Sequence, residues 1–273
     1  MIDALDHVAI VVTDLDLAAS AYETMIGRPA DWREEAAGAR HAWFQFANMA
    51  LDIVQPDGAG ESGDRARARL AEGGDGLWGL AFAVSDLGET RRVLERRGAP
   101  TAEPLDLLST DAWRLAFIHP AATHGVPIAL AERSAPRRPG SAFGPAEIHA
   151  LDHVVVHTGK PERALALYAA RLGLDFRLDR TSKAWGSRLL FLRCGDAVLE
   201  IGSDLSGEDS DAPDRLTGLA WRVRDPEGAR ERLAVAGFDV SQVRGGRKPG
   251  TRVFTIRAGV AGAPALVIAA QDR

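Results

Sequence analysis

Only one cysteine occurs in the 273 residues. Cys194, inside the apolar run LLFLRCG, has no partner for an intrachain disulfide, and a buried, inert thiol is the expected state. Paired cysteines are absent, as are a glycine-rich phosphate loop and a nucleophile elbow with a Ser/His/Asp order. Those reaction classes lose support. No uninterrupted apolar segment approaches the roughly 18 residues of a membrane span. The opening MIDALDHVAI has no basic region followed by a long apolar stretch, so a cytoplasmic protein without a membrane partner is expected. A formal net charge of −5 and the lack of a long Lys/Arg run argue against a nucleic-acid partner, whose phosphates need a basic face.

What the chain does have is a repeat. LDHV occurs at Leu5–Val8 and again at Leu151–Val154, each time opening an apolar run, and Tyr22/Tyr168 and Gly27/Gly173 keep the same offset of 146 residues. A duplication constrains architecture more firmly than local propensity does. Each half is itself double. After HVAIVVTDL, the residues Leu15, Ala18, Ala19, Tyr22, Met25 and Ile26 recur at helical steps, with Asp14 as cap and Gly27 as stop. Asp86 and Gly98, then Asp225 with Pro226 and Gly237, frame two further copies, and Pro161 and Gly173 frame the copy in the third module. Helices are predicted near 15–26, 87–97, 161–172 and 226–236. Paired β-like runs follow each one: HAWFQFA and MALDIVQ, WRLAFIH and VPIALAE, SRLLFLRC and AVLEIG, RVFTIRA and PALVIAA. The unit is β-α-β-β-β, four times over.

The aperiodic stretch around RSAPRRPGSAFGP marks a linker. The expected layout is an N-terminal two-module domain at 1–132, a linker at 133–147 and a C-terminal two-module domain at 148–273. The polar connections inside the halves read as solvated, with one helical turn expected at Arg65–Leu70.

Four such modules, a first strand LDHVAIVVTDL and the closing pattern AFIHPAATHGVPIALAE resemble the vicinal oxygen chelate superfamily, the glyoxalase, bleomycin resistance protein and extradiol dioxygenase fold. The resemblance covers nearly the whole chain and is specific for fold, not for reaction. It implies an α+β protein whose curved mixed sheets form cups, each able to hold a divalent metal by one residue from the first strand and one from the last strand of each paired module. Carried over position by position, the implied metal ligands are His7 and Asp52 in the first module and His153 and Glu200 in the third. Gly79, Gly218, Ala129 and Val267 hold the matching places in the other two and cannot bind metal through a side chain.

Adjacent-module pairing would give each cup two protein ligands, whereas first against third would gather all four around one ion of Fe, Mn, Co, Ni or Zn. Three readings stay open: one four-residue metal site, a metal in an adjacent-module cup with outside help, and no metal, with Asp52 and Glu200 paired to arginines such as Arg40 and Arg188. The resemblance implies a glyoxalase-like, metal-dependent enzyme acting on a small oxygenated molecule by isomerase, epimerase or lyase chemistry, with Glu200 as general base. The alternative is a metal-free protein that sequesters a small molecule. Ring-cleaving dioxygenation is disfavoured, because Gly218 and Val267 break that pattern. A homodimer is one option for the assembly.

Other candidates weigh less. His119 and His124 bracket a turn. His157 shares a strand face with His153 but lies roughly 13 Å along it, too far for one ion. His41 and His149 carry no motif. Trp43, Phe44, Trp78, Trp113, Trp185 and Trp221 are expected mostly in cores, with one or two lining a pocket. Arg244, Arg247, Lys248 and Arg252 form a basic, glycine-rich hairpin that either solvates a turn or meets an acidic group.

Overall fold

The computed structural model describes residues 1–107, 113–134, 143–206 and 210–270. The first module runs β1 (Ile2–Val11), α1 (Leu15–Ile26), β2 (Trp32–Ala36), β3 (Ala39–Gln45) and β4 (Ala50–Pro56), followed by a connecting helix, α2 (Glu61–Gly73). The second runs β5 (Gly76–Val84), α3 (Leu87–Arg96), β6 (Leu105–Leu107), β7 (Trp113–Phe117), a short turn of helix α4 (Pro120–Thr123), and β8 (Ile128–Arg133). The third comprises β9 (Ala150–His157), α5 (Pro161–Leu165), β10 (Asp175–Ser182), β11 (Ser187–Cys194) and β12 (Ala197–Asp204). The fourth comprises β13 (Arg215–Arg222), α6 (Pro226–Val235), β14 (Arg244–Gly245), β15 (Thr251–Val260) and β16 (Ala263–Ala270).

The helices form where the capping pattern places them. Asp14 accepts from Leu17 N at 3.0 Å, Asp86 from Glu89 N at 2.7 Å and Asp225 from Gly228 N at 3.0 Å, each satisfying an otherwise orphan donor of a first turn. The apolar stripe of α1, Leu15 to Ile26, is buried as its spacing requires, and Tyr22 donates to the Val260 carbonyl at 3.2 Å. In the third module α5 lacks a side-chain cap and passes into a π-helix over Ala166–Arg171, so the expected single helix at 161–172 has two geometries.

Helix α2 is longer than the turn expected at Arg65–Leu70. It seats Ala66 and Gly63 inward, and a Cβ on Gly63 would stand 2.0 Å from the Gly38 carbonyl oxygen, so glycine is what lets this helix approach the β2–β3 turn. The strand that follows the helix of each module is the least visible in sequence, because β2, β6, β10 and β14 are short or polar.

Two eight-stranded mixed sheets result, in the orders β2-β3-β4-β1-β5-β8-β7-β6 and β10-β11-β12-β9-β13-β16-β15-β14. Each sheet thus joins adjacent modules edge to edge, following the tandem halves. Contacts group the chain differently: one compact unit combines Met1–Val8 with most of the second and third modules, the other combines Ala9–Leu77 with most of the fourth. The first and third modules, whose mutual pairing would have gathered the four candidate ligands, fall largely in different units. Of the linker predicted at 133–147, residues 135–142 lie outside the described residues. Among the described residues no helix is long and apolar enough to cross a membrane.

Candidate functional site

In the third module, β9 buries Val154 and Val156 on one side and leaves His153, Val155 and His157 half-buried on the other. Period-two alternation produces that split. Strand β12 pairs with β9 in parallel, setting Val198 against His153 and Glu200 against Val155. Strand β11 sets Phe191 against Glu200 and Arg193 against Val198. One sheet face therefore carries His153, Glu200, Phe191, Val198 and Arg193. His153 Nε2 lies 3.6 Å from Glu200 Oε2, with each side chain 16% exposed. That separation is slightly beyond hydrogen-bond length, between two part-exposed side chains. His157 stays outside the pair, with Nε2 3.3 Å from Asp204 Oδ2.

The first module uses its matching residues differently. Asp52 lies opposite Trp43, and His41 lies opposite Val54, so the His41 ring reaches diagonally to the carboxylate. Its Nδ1 is 3.0 and 3.1 Å from the two Asp52 oxygens, and both side chains are buried. Burial pushes the imidazolium of His41 towards losing its proton, but the charge and hydrogen bond of Asp52, helped by Glu34, outweigh it and hold the pKa above the ordinary histidine value. Trp43 stacks on Trp32 at 5.5 Å and on His41 at 6.2 Å, and its indole N–H donates to Glu34 at 2.9 Å. His41 carries no sequence motif. The hairpin register counted outward from the Phe46–Met49 turn is the signal that locates it.

His7 has its own partner. Its Nδ1 is 2.8 Å from Asp6 Oδ1, and Arg133 grips Asp6 with two bonds of 2.8 and 2.9 Å. The Arg133 guanidinium lies 4.7 Å over the Trp113 ring, and His7 meets the same ring edge-on at 5.6 Å. Asp6 is 1% exposed, so its charge depends on these partners. A carboxylate on Nδ1 selects the tautomer with the lone pair on Nε2. Asp6 stands inside the LDHV motif, and the repeat of that motif is the one sequence signal that marks it. Its counterpart Asp152 accepts from Arg222 Nε at 2.9 Å.

Arg40, offered with Arg188 under the no-metal reading as a partner for the two carboxylates, binds Asp16, and Arg188 binds Asp179 and Glu162. His119 accepts from Ala121 N at 3.3 Å to cap α4, and His124 ends that turn with a φ of 56°, so both shape it. Trp43, Phe44, Trp113 and Trp221 are buried, whereas Trp185 is exposed beneath the Arg180 guanidinium. In the basic hairpin Arg252 pairs with Glu227. Burial raises the Cys194 thiol to about 12, consistent with an inert residue.

Among the described residues no three His, Cys, Asp or Glu side chains gather as a metal site. His7 is engaged by Asp6 and Asp52 by His41, while His153 and Glu200 approach each other. A set of two donors does not complete the closed coordination that three or four protein ligands give.

Comparison with known proteins agrees with this architecture. The family model described as Glyoxalase/Bleomycin resistance protein/Dioxygenase superfamily matches residues 6–117 and 152–255. An uncharacterized protein of Bacillus subtilis (strain 168), YqjC, is 28% identical over 130 residues, covering 47% of this chain and 91% of that protein. The fold resembles a mutant of 4-hydroxymandelate synthase from Streptomyces coelicolor, with a TM-score of 0.71 and 15% identity over 100% of this chain and 95% of that one. It also resembles a Mn(II)-bound glyoxalase from Novosphingobium aromaticivorans, with a TM-score of 0.68 and 17% identity over 99% and 83% of the two chains.

Proposed function

Because the chain belongs to the glyoxalase/bleomycin resistance protein/dioxygenase superfamily, we propose that it is an enzyme that binds a small oxygenated organic molecule on the open face of its third module and moves a proton there. Isomerase, epimerase and lyase chemistry share that step. The supporting observation is the His153–Glu200 pair: an imidazole and a carboxylate 3.6 Å apart, each part-exposed, on a face with apolar Phe191 and Val198.

In the proposed reaction Glu200 takes a proton from the carbon beside a substrate carbonyl, and His153, protonated, gives one to the carbonyl oxygen. The C–H bond breaks, the O–H bond forms, and an enol results. Return of the proton to either carbon face, or loss of a leaving group, completes the reaction. General acid and base groups of this kind contribute about 10²- to 10⁴-fold each, and the apolar walls strengthen their electrostatic action. The step uses no donor beyond the pair, and a small molecule is the only partner it needs.

The test is solvent deuterium exchange, followed by NMR, into a panel of small ketones, 2-hydroxy ketones and 2-oxo acids. Exchange accelerated for at least one class and lost in Glu200→Gln supports the proposal. Exchange indifferent to Glu200→Gln overturns it, and tight binding without exchange replaces it with a sequestering protein. Chelation followed by addition of Mn, Fe, Co, Ni or Zn reads any metal requirement in the same assay.

A further inference from the structure

A cavity of about 220 Å³ lies on the third-module face, lined by Arg177, Phe191, Leu192, Arg193 and Val198. It adjoins the acid–base pair through strand register: Val198 is the partner of His153, and Phe191 is the partner of Glu200. We propose that this cavity is the subsite for the acidic group of the substrate, making the ligand a small organic carboxylate whose oxygenated carbon reaches Glu200. The proposal rests on the reading of His153 and Glu200 as the reacting pair.

Two guanidiniums line one small cavity. Arg193 is exposed and has no ion-pair partner among the described residues, although its strand position faces the same side as Glu200. The matching place in the first module, opposite Ala50, is Gln45, which is buried and spends its amide on the Phe46 and Met49 carbonyls. There the position serves the fold. In the third module it offers a planar donor fork to solvent, a geometry that matches a carboxylate bidentately.

Arg177 sits at the β10 bulge and pairs with Asp175 at 2.5 Å, with both side chains more than half exposed. That surface pair is weak, so the guanidinium can turn to a ligand. Phe191 and Val198 supply the apolar floor for a short carbon chain. The volume falls below the ~300–1,000 Å³ of drug-sized pockets, which limits the part enclosed to a few heavy atoms. Two residues of strand separate Val198 from Glu200, about 6.6 Å, so the acidic group and the reacting carbon belong to one short molecule.

The test is an NMR titration with 2-oxobutyrate and its uncharged amide, following the Phe191, Arg193 and Val198 amide signals. The expected result is at least tenfold tighter binding of the anion, weakening at high salt. Arg193→Gln should abolish that preference, Arg193→Lys should retain part of it, and Arg177→Gln should lower it several-fold. Both arginines are solvent-facing, and an unchanged melting temperature verifies that the variants fold. Equal affinity for anion and amide, or a preference indifferent to Arg193→Gln, overturns the subsite. The two proposals fail separately. Anion preference without wild-type exchange keeps the pocket and removes the proton transfer. Exchange of a neutral ketone without anion preference does the reverse.

Discussion

In the first module His7 is held by Asp6, and Asp52 by His41; in the third, His153 and Glu200 face each other at 3.6 Å. The strands that carry these residues have the same order and corresponding registers. A neighbouring residue makes much of the difference. His41 lies opposite Val54, two positions beyond Asp52, while Leu189 lies opposite Gly202, two positions beyond Glu200. The imidazole captures the first carboxylate, and the leucine cannot capture the second. Stacked Trp32 and Trp43 then pack the first face, where the third has Leu178 opposite Phe191, with Leu178 exposed. A duplicated scaffold has kept matching residues and made one set part of the packing and the other accessible.

The two carboxylates should differ most. Glu200→Gln is expected to slow proton exchange at least 10²-fold with little change in melting temperature. Asp52→Asn should leave exchange within a few-fold and lower the melting temperature, since it breaks a buried pair. Equal losses of exchange in both would erase the distinction between the modules.

A second contrast concerns the aspartates of the two LDHV copies. Asp6→Ala removes the partner of the part-buried Arg133 and the buried His7, and denaturant melts should show a loss of about 1.5–3 kcal/mol. Asp152→Ala removes a pair whose side chains are each 28% exposed, and should cost about 1 kcal/mol or less. Comparable costs would show that the two aspartates are equally structural.

Converting one environment into the other probes the same contrast directly. Leu189→His should place an imidazole beside Glu200 as His41 stands beside Asp52, lowering exchange roughly tenfold by drawing the carboxylate off its task. That figure corresponds to about 1.4 kcal/mol. An unchanged rate would mean that Glu200 keeps its orientation for some other reason.

A still smaller effect belongs to pH. His41 is held above the ordinary value of about 6.5 in the folded state. A raised histidine favours the fold fully below that value, and the contribution disappears as pH rises through the folded pKa. Melting temperatures should fall as pH rises above about 6.5, and His41→Gln should flatten the decline. An identical profile in the variant would remove His41 as its source.

The modular plan is written locally in the chain. Caps at Asp14, Asp86 and Asp225, the buried stripe of α1 and the paired β runs are signals set by hydrogen-bonding and side-chain periodicity within a few residues. The repeat marks His7 and His153 as matching positions, and the family resemblance adds Asp52 and Glu200. Whether those side chains share a centre is decided by tertiary structure, because it depends on which modules share a sheet and on which residue stands diagonally across a hairpin. His41 reaches Asp52 only through the β3–β4 register, and Arg133 reaches Asp6 across 127 residues of chain. A buried charge takes the partner that the fold brings within hydrogen-bonding distance, and sequence spacing carries no record of that distance until the strands are paired.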